Sequence, residues 1–242
     1  MKNPWLDIPL ADYEGHMALP HVAQAQLLSD VFADALSKYS PRSVAVLGCA
    51  GGNGFERISA RTTERVVGVD INPEYLQQVR ARFDHRIPRL DLFVGDVQTD
   101  DFTFSPVELV FAGLLFEYVD ADVVLAKILS MLHPNGTLLT VVQMPTAAIP
   151  EITPSPFTSL CALASVMRLM PPDLLRQLAA ARGYRETAAR TVDTAGAKRF
   201  QVQAFRLETP NHRLQPTAAM GTTEPGVGPL LECPVLAGDS TS

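Results

Sequence analysis

The chain has 242 residues, 47% of them hydrophobic and 19% charged, with a formal net charge of -6. That composition supports a buried core and excludes wholesale disorder. The acidic balance argues against a protein that grips nucleic acid by its phosphates. The scattered Cys49, Cys161 and Cys233 offer neither zinc spacing nor a disulfide framework, so no metal site is expected.

Residues 1–20 are broken by Pro4, Pro9 and Pro20 and carry Trp5, Tyr13, His16 and Met17. They read as an irregular cover segment that packs over a domain or the mouth of its pocket. Acidic residues and prolines stand where a secretion signal would have an apolar core, and no apolar run is long enough for a bilayer. With the cysteine usage, this points to a cytoplasmic protein. Residues 21–39 place Val22, Ala25, Leu28, Val31, Phe32, Ala35, Leu36 and Tyr39 on one helical face, and Ser40-Pro41 stops them.

The apolar run Val44–Leu47 then meets Gly48, Gly51, Gly52 and Gly54, a buried strand entering a glycine turn, with a helix-compatible stretch Phe55–Arg61 behind it. Glycine there takes positive φ and lets backbone approach a ligand closely. Strand, turn and helix in this order open a nucleotide-binding α/β unit. Residues 65–70 form a second strand ending in Asp70; Asn72 and Pro73 start a helix carrying Leu76, Val79 and Phe83 inward. Leu90–Val94 and Val107–Ala112 are further strands, followed by Gly95-Asp96 and Gly113-Leu114. Asp120 caps the next helix, His133-Pro134-Asn135-Gly136 turns the chain, and Leu138–Val142 is a fifth strand.

Residues 145–171 interrupt this rhythm with five prolines around an apolar piece, too long for a plain connection, and predict a lid or a subunit contact. A helix over 172–182 ends at Gly183, and 185–194 with 199–206 form a last antiparallel pair. Residues 207–242 lack aromatic residues and apolar periodicity and read as a disordered tail. The expectation is α/β: a doubly wound, seven-stranded, mostly parallel sheet over 21–206 with an antiparallel C-terminal strand pair.

The acids select the ligand. Asp70 lies where an acid can accept both hydroxyls of an adenosine ribose. The spacing after Gly48 fits a phosphate-holding Gly-x-Gly-x-x-Gly poorly, and no Gly-Lys-Ser/Thr follows.

Five stretches in register resemble the class I (Rossmann-like) S-adenosylmethionine-dependent methyltransferases: Val44–Gly54, Val66–Asn72, Phe93–Val97, Val107–Val119 and Leu132–Leu139. The likeness covers residues 20–206. It implies S-adenosylmethionine as cofactor, Asp70 on the ribose and Asp96 on the adenine amino group. It also implies cofactor contacts at Gly48, Cys49, Ala50, Gly52, Ile71, Val97, Ala112, Gly113 and Leu114. The chain departs from the pattern at Val46, where the family has an acid, and at Ala50, where it has a glycine; Asn53 is a candidate substitute for the lost anchor.

Because the sulfonium already activates the methyl group, alignment with the acceptor is the main requirement, and a base is needed only if the acceptor must lose a proton. Glu117 and Tyr118, just past the fourth strand, are the best-placed candidates, with His16 and His21 behind them. The Asn/Asp-Pro-Pro-Tyr/Phe signature of planar-nitrogen methylation is absent after that strand, where Ala112–Phe116 stands. A small or medium-sized acceptor fits better than nucleic acid or membrane. Two other readings remain open: a methyltransferase-like binding domain without turnover, and a nicotinamide-dependent oxidoreductase.

Overall fold

The computed structural model describes residues 3–145 and 150–208. The strands are β1 (Ser43–Leu47), β2 (Arg65–Asp70), β3 (Arg89–Val94), β4 (Val107–Gly113), β5 (Leu132–Gln143), β6 (Tyr184–Asp193) and β7 (Arg199–Leu207). They form one sheet in the order β3-β2-β1-β4-β5-β7-β6. β3, β2, β1, β4 and β5 are parallel; β7 runs antiparallel to both β5 and β6. This is the doubly wound, mostly parallel architecture expected from the sequence.

Helices α1 (Leu10–Ala18), α2 (Gln24–Tyr39), α3 (Pro73–Phe83), α4 (Ala121–Met131) and α5 (Pro172–Ala181) complete it. Both faces of the sheet are apolar because strands buried on two sides need continuous hydrophobic runs. β2 is buried at all six positions. One core layer joins Val44, Val46, Val66 and Leu109 to Phe32 of α2 and Val79 and Phe83 of α3. The other joins Ala45, Leu47, Val67 and Val110 to Leu125 and Ile128 of α4 and Leu175 of α5.

Local chemistry sets the boundaries. Asn72 accepts the Glu74 N–H at the start of α3, and Asp120 accepts those of Asp122 and Val123 at the start of α4. Gly183 ends α5 at φ 83°.

Three local expectations are corrected. The segment 1–20 contains a helical turn at Pro4–Leu6 and the helix α1; Pro4 and Pro9 sit at the entries of these elements, where a missing N–H costs little, and Pro20 follows the end of α1. Phe55–Arg61 gives only a single turn, Phe55–Arg57, with Ile58 already extended. β5 begins at Leu132, so His133–Gly136 lies within an irregular strand start, where the pairing with β4 shifts register between Val107 and Leu109.

Over the carboxyl edge of the sheet, a third, small apolar cluster joins Ile8 to Leu160 and Leu163, with Trp5, Tyr13, Tyr118, Ile152 and Phe157 around it. Leu160 and Leu163 belong to a 3-10 stretch, Thr158–Ser165, inside the proline-rich interruption. Residues 146–149 of that interruption, and 209–242 of the tail expected from 207, lie outside the described residues; Leu207, at the start of that expected tail, instead ends β7. Among the described residues no helix is long and apolar enough to cross a membrane.

Candidate active site

The sheet order reverses between β1 and β4, and open α/β sheets bind ligands in the crevice outside the strand ends at such a point. The loop after β1 takes left-handed backbone at every second residue: Gly48 (φ 69°), Ala50 (45°), Gly52 (84°) and Gly54 (88°). At Gly52 a Cβ would also stand 2.7 Å from the Phe83 ring, so glycine is required twice over. Ala50 holds its left-handed conformation at a cost of about 1 kcal/mol. Its N–H donates to Asp70 Oδ2 at 2.8 Å, which helps hold the loop in place.

Asp70 ends β2 and is 7% exposed. Its Oδ1 accepts the Asn72 N–H at 2.9 Å. Burial pushes its carboxyl up to about 6, against the pull of the Asn72, Ala50 and Ile71 N–H groups. Each carboxylate oxygen can accept a second donor, so Asp70 retains capacity toward the cleft it lines. Asp96 lies beyond β3; its Oδ1 accepts the Gln98 N–H at 2.9 Å.

Of the cofactor contacts expected from sequence, Gly48, Ala50, Asp70, Ile71, Asp96, Val97, Gly113 and Leu114 line this one cleft. Cys49, Gly52 and Ala112 are not among its lining residues. The Cys49 side chain turns into the core beside Gly68 of β2, where a Cβ would meet its sulfur at 3.2 Å; burial pushes its thiol well up. Gly52 faces Phe83, and Ala112 lies in the core layer under α4. Val46, at the place of the family's acid, is a core residue beneath the loop. Asn53 does not replace that acid: its side chain donates to the Ala25 carbonyl at 3.0 Å, outside the cleft.

The cleft's other wall comes from the N-terminal segment. Trp5 packs edge-on against Tyr13 (centroids 5.6 Å apart) and Tyr118 (5.1 Å). The segment is tied down by Asn72 Nδ2 donating to the Trp5 carbonyl at 3.0 Å and Tyr75 OH donating to the Ile8 carbonyl at 2.8 Å. An Arg82–Glu14 ion pair reinforces it. Two carboxylates, Asp70 and Asp96, and four aromatic residues, Trp5, Tyr13, Tyr75 and Tyr118, therefore line a cleft with no Lys or Arg among its described lining. That donor set fits a phosphate-free, cationic adenosine derivative. A dinucleotide would bring two phosphates against two carboxylates with no cation to offset them.

A second cavity adjoins the first and shares Trp5, Tyr13, Leu114 and Tyr118 with it. Glu117 lines it and is 1% exposed. Its Oε1 accepts the Gln143 N–H at 2.6 Å, while Oε2 is buried with no hydrogen-bond partner. Burial pushes its carboxyl up to about 7. Tyr118, half-buried beside Glu117, has its hydroxyl pushed far up by desolvation first and the Glu117 charge second.

Lys198 enters the same cavity because β7 runs antiparallel and so begins at the carboxyl edge where β5 ends. Its Nζ donates to Gln143 Oε1 at 3.2 Å and to the Glu151 carbonyl at 2.6 Å. Desolvation lowers its ammonium to about 8. His16 of α1 also lines this cavity and hydrogen-bonds Ser155 Oγ at 2.9 Å. His21 does not: it is exposed, near the Pro154 carbonyl at 3.4 Å, and lines neither cavity. Among the described residues no group of three or more His, Cys, Asp or Glu stands together as a metal site.

Sequence reasoning missed Gln143 and Lys198. The rule that selected Asp70 and Asp96, a polar residue closing an apolar strand, applies equally to Gln143 after Val141-Val142. Lys198 follows a turn and gave no signal, because its place depends on strand direction.

Residues 44–136 match the family model for a methyltransferase domain. The fold is similar to N-methyltransferase NodS from Bradyrhizobium japonicum WM9 in complex with S-adenosylhomocysteine (TM-score 0.59, 14% identity, covering 77% of this chain and 88% of that one). It is similar to the glycopeptide N-methyltransferase MtfA with S-adenosylmethionine (0.58, 18%, 74% and 92%). It is also similar to the [4+2]-cyclase SpnF (0.56, 13%, 74% and 81%). No curated protein sequence matches the chain. The match over residues 44–136 and the strand order together show a fold similar to that of the class I, Rossmann-like methyltransferases, and the charge of the cleft fits S-adenosylmethionine as cofactor.

Proposed function

We propose that this chain transfers a methyl group directly, in line, from S-adenosylmethionine to a small or medium-sized molecule. The observation that carries this is the pair of adjoining cavities with a common wall of Trp5, Tyr13, Leu114 and Tyr118. In-line transfer needs donor and acceptor held on either side of one short gap, and such positioning can supply most of the acceleration. The acceptor side is closed over by α1 and the 3-10 stretch Thr158–Ser165, which suits a small body rather than a polymer. In this reading residues 1–20 and 145–171 act as its cover.

When bound, the cofactor supplies a methyl group already activated by its sulfonium. Asp70 would accept from its ribose hydroxyls, and Asp96 from its adenine amino group. Ile71, Val97 and Leu114 would give the ring apolar contact, while Gly48 and Gly113 would let backbone approach. The aromatic wall suits a cation in a desolvated site. Glu117 takes the acceptor's proton, since a carboxyl lifted to about 7 is matched to that task near neutral pH. Tyr118 keeps its own proton and serves as a donor.

Calorimetric titration with S-adenosylmethionine and S-adenosylhomocysteine tests the cofactor half. Both should bind, and Asp70→Ala should bind them poorly; a wild type that binds neither refutes the reading. A binding domain without turnover is the second reading, favoured by the core valine at position 46 where the family carries an acid. The cyclase with this fold illustrates that fold alone does not fix the reaction. Cofactor binding with no methyl transfer to any component of a metabolite extract would select it.

A further inference from the structure

We propose that the second cavity is a subsite for an amine: a primary or secondary ammonium group on a small apolar body, seated on Glu117 Oε2. The inference rests on the methyltransferase reading above and names its acceptor class. Its starting point is the one unpartnered side-chain oxygen in this cavity among the described residues, on a carboxylate that is 1% exposed. A buried charge left half-satisfied is costly, so this atom is a place for a ligand donor.

The surrounding residues narrow the class. Gln143 holds both charged groups: its backbone N–H donates to Glu117 Oε1, its side-chain oxygen accepts from Lys198, and its Nε2 donates to the Glu151 carbonyl at 3.1 Å. Lys198 is thus turned to Gln143 and Glu151 and does not neutralise Glu117. A cationic donor completes the pairing that Lys198 does not make. A neutral alcohol would satisfy the oxygen but leave the charge unbalanced, and a carboxylate would meet Glu117 as a like charge. The Trp5, Tyr13 and Tyr118 rings add a wall suited to a cation, and Ile152, Leu160, Leu163 and Met167 receive an apolar body.

The amine enters as its ammonium. One N–H proton then passes to Glu117 Oε2, its bonding pair stays on nitrogen as the lone pair, and the carboxylate becomes a neutral acid. The desolvation that lowers Lys198 to about 8 acts on a bound ammonium in the same sense, bringing its proton affinity toward that of Glu117. The groups facing this exchange are His16 from α1, Tyr118, Glu151 and Lys198.

The test is calorimetry on the protein, with and without saturating S-adenosylhomocysteine, using methylamine, butylamine and 2-phenylethylamine against 2-phenylethanol and 3-phenylpropanoate. The expected result is that at least one amine binds about tenfold or more tighter than the alcohol and the acid. Glu117→Gln should abolish that preference while binding S-adenosylhomocysteine as before. Carbon-13 NMR of the Glu117 carboxyl should show its titration moving to lower pH when the amine is added. Equal or tighter binding of the alcohol or the acid overturns the inference, as does a preference that survives Glu117→Gln. Failure of every amine with S-adenosylhomocysteine still bound overturns the amine subsite alone; failure of S-adenosylhomocysteine itself overturns the function on which it rests.

Discussion

The two halves of the site are built in opposite ways. The cofactor cleft is made from residues at strand ends that are close in sequence to a recognisable turn: Gly48 and Ala50 after β1, Asp70 at β2, Asp96 after β3, Gly113 at β4. Its key carboxylate is satisfied on both oxygens by backbone N–H groups. The adjoining cavity draws His16, Glu117, Gln143 and Lys198 from four separated parts of the chain, and its key carboxylate is satisfied on only one oxygen. A finished, rigid seat for one ligand stands beside an unfinished one for another. In the proposed reading, the first half carries the common chemistry and the second the specificity.

The largest effect that would sharpen this contrast is on turnover. Glu117→Gln keeps the side-chain shape and the acceptor for Gln143 but removes the base, so methyl transfer to an amine acceptor should fall about a thousandfold. The dissociation constant of S-adenosylhomocysteine should hardly change. A matching loss of cofactor affinity would show that the two halves are one site and break the comparison.

Stability should report the same carboxylate. Its ordinary value of 4.5 is raised to about 7 in the folded chain, so the native state binds this proton more tightly than the unfolded state does. Its contribution is fully present below about 4.5 and is lost as pH rises through 7. Glu117→Gln should therefore gain stability over wild type progressively between those pH values, by up to about 3 kcal/mol. Taking the difference between the two proteins cancels His16, whose lowered value acts in the opposite sense below 6.5. Urea denaturation at pH 5, 6, 7 and 8 measures it, and a difference that stays flat with pH contradicts the burial argument.

Asp70→Ala tests the other half. It removes a charged acceptor from the cleft and frees the Ala50 and Asn72 N–H groups, so affinity for S-adenosylhomocysteine should fall roughly 30- to 100-fold by calorimetry. Amine binding in the second cavity should persist.

Much of the cofactor half was legible in the sequence because its information is local. Glycine after an apolar run, an acid closing the next strand and Asn72-Pro73 opening α3 are short-range signals, and the structure keeps them in register. The differences in which residues line the cleft are also local. Cys49 and Ala112 are adjacent in sequence to lining residues, yet a side chain one position along points to the other side. The acceptor half was largely illegible because it depends on direction and distance. Lys198 reaches the site only because β7 is antiparallel, and α1 was hidden by Pro9, just before its first residue, and Pro20, just after its end. Glu117 was found by its place after β4, but its orphaned oxygen follows from packing.

The smallest effect concerns the turn itself. Gly52→Ala forces a side chain into left-handed backbone and against the Phe83 ring, and should cost about 2 kcal/mol of stability, read as a lowered thermal midpoint. Because Gly52 lies behind the cleft, amine binding at low temperature should survive.

The most direct test of the central claim is methyl transfer itself: incubate the protein with methyl-labelled S-adenosylmethionine and a metabolite extract, then separate products by mass. The account predicts label in a low-molecular-weight product, formed by wild type and lost in Asp70→Ala and Glu117→Gln. Label confined to unreacted cofactor, or appearing in protein or nucleic acid instead, would contradict it.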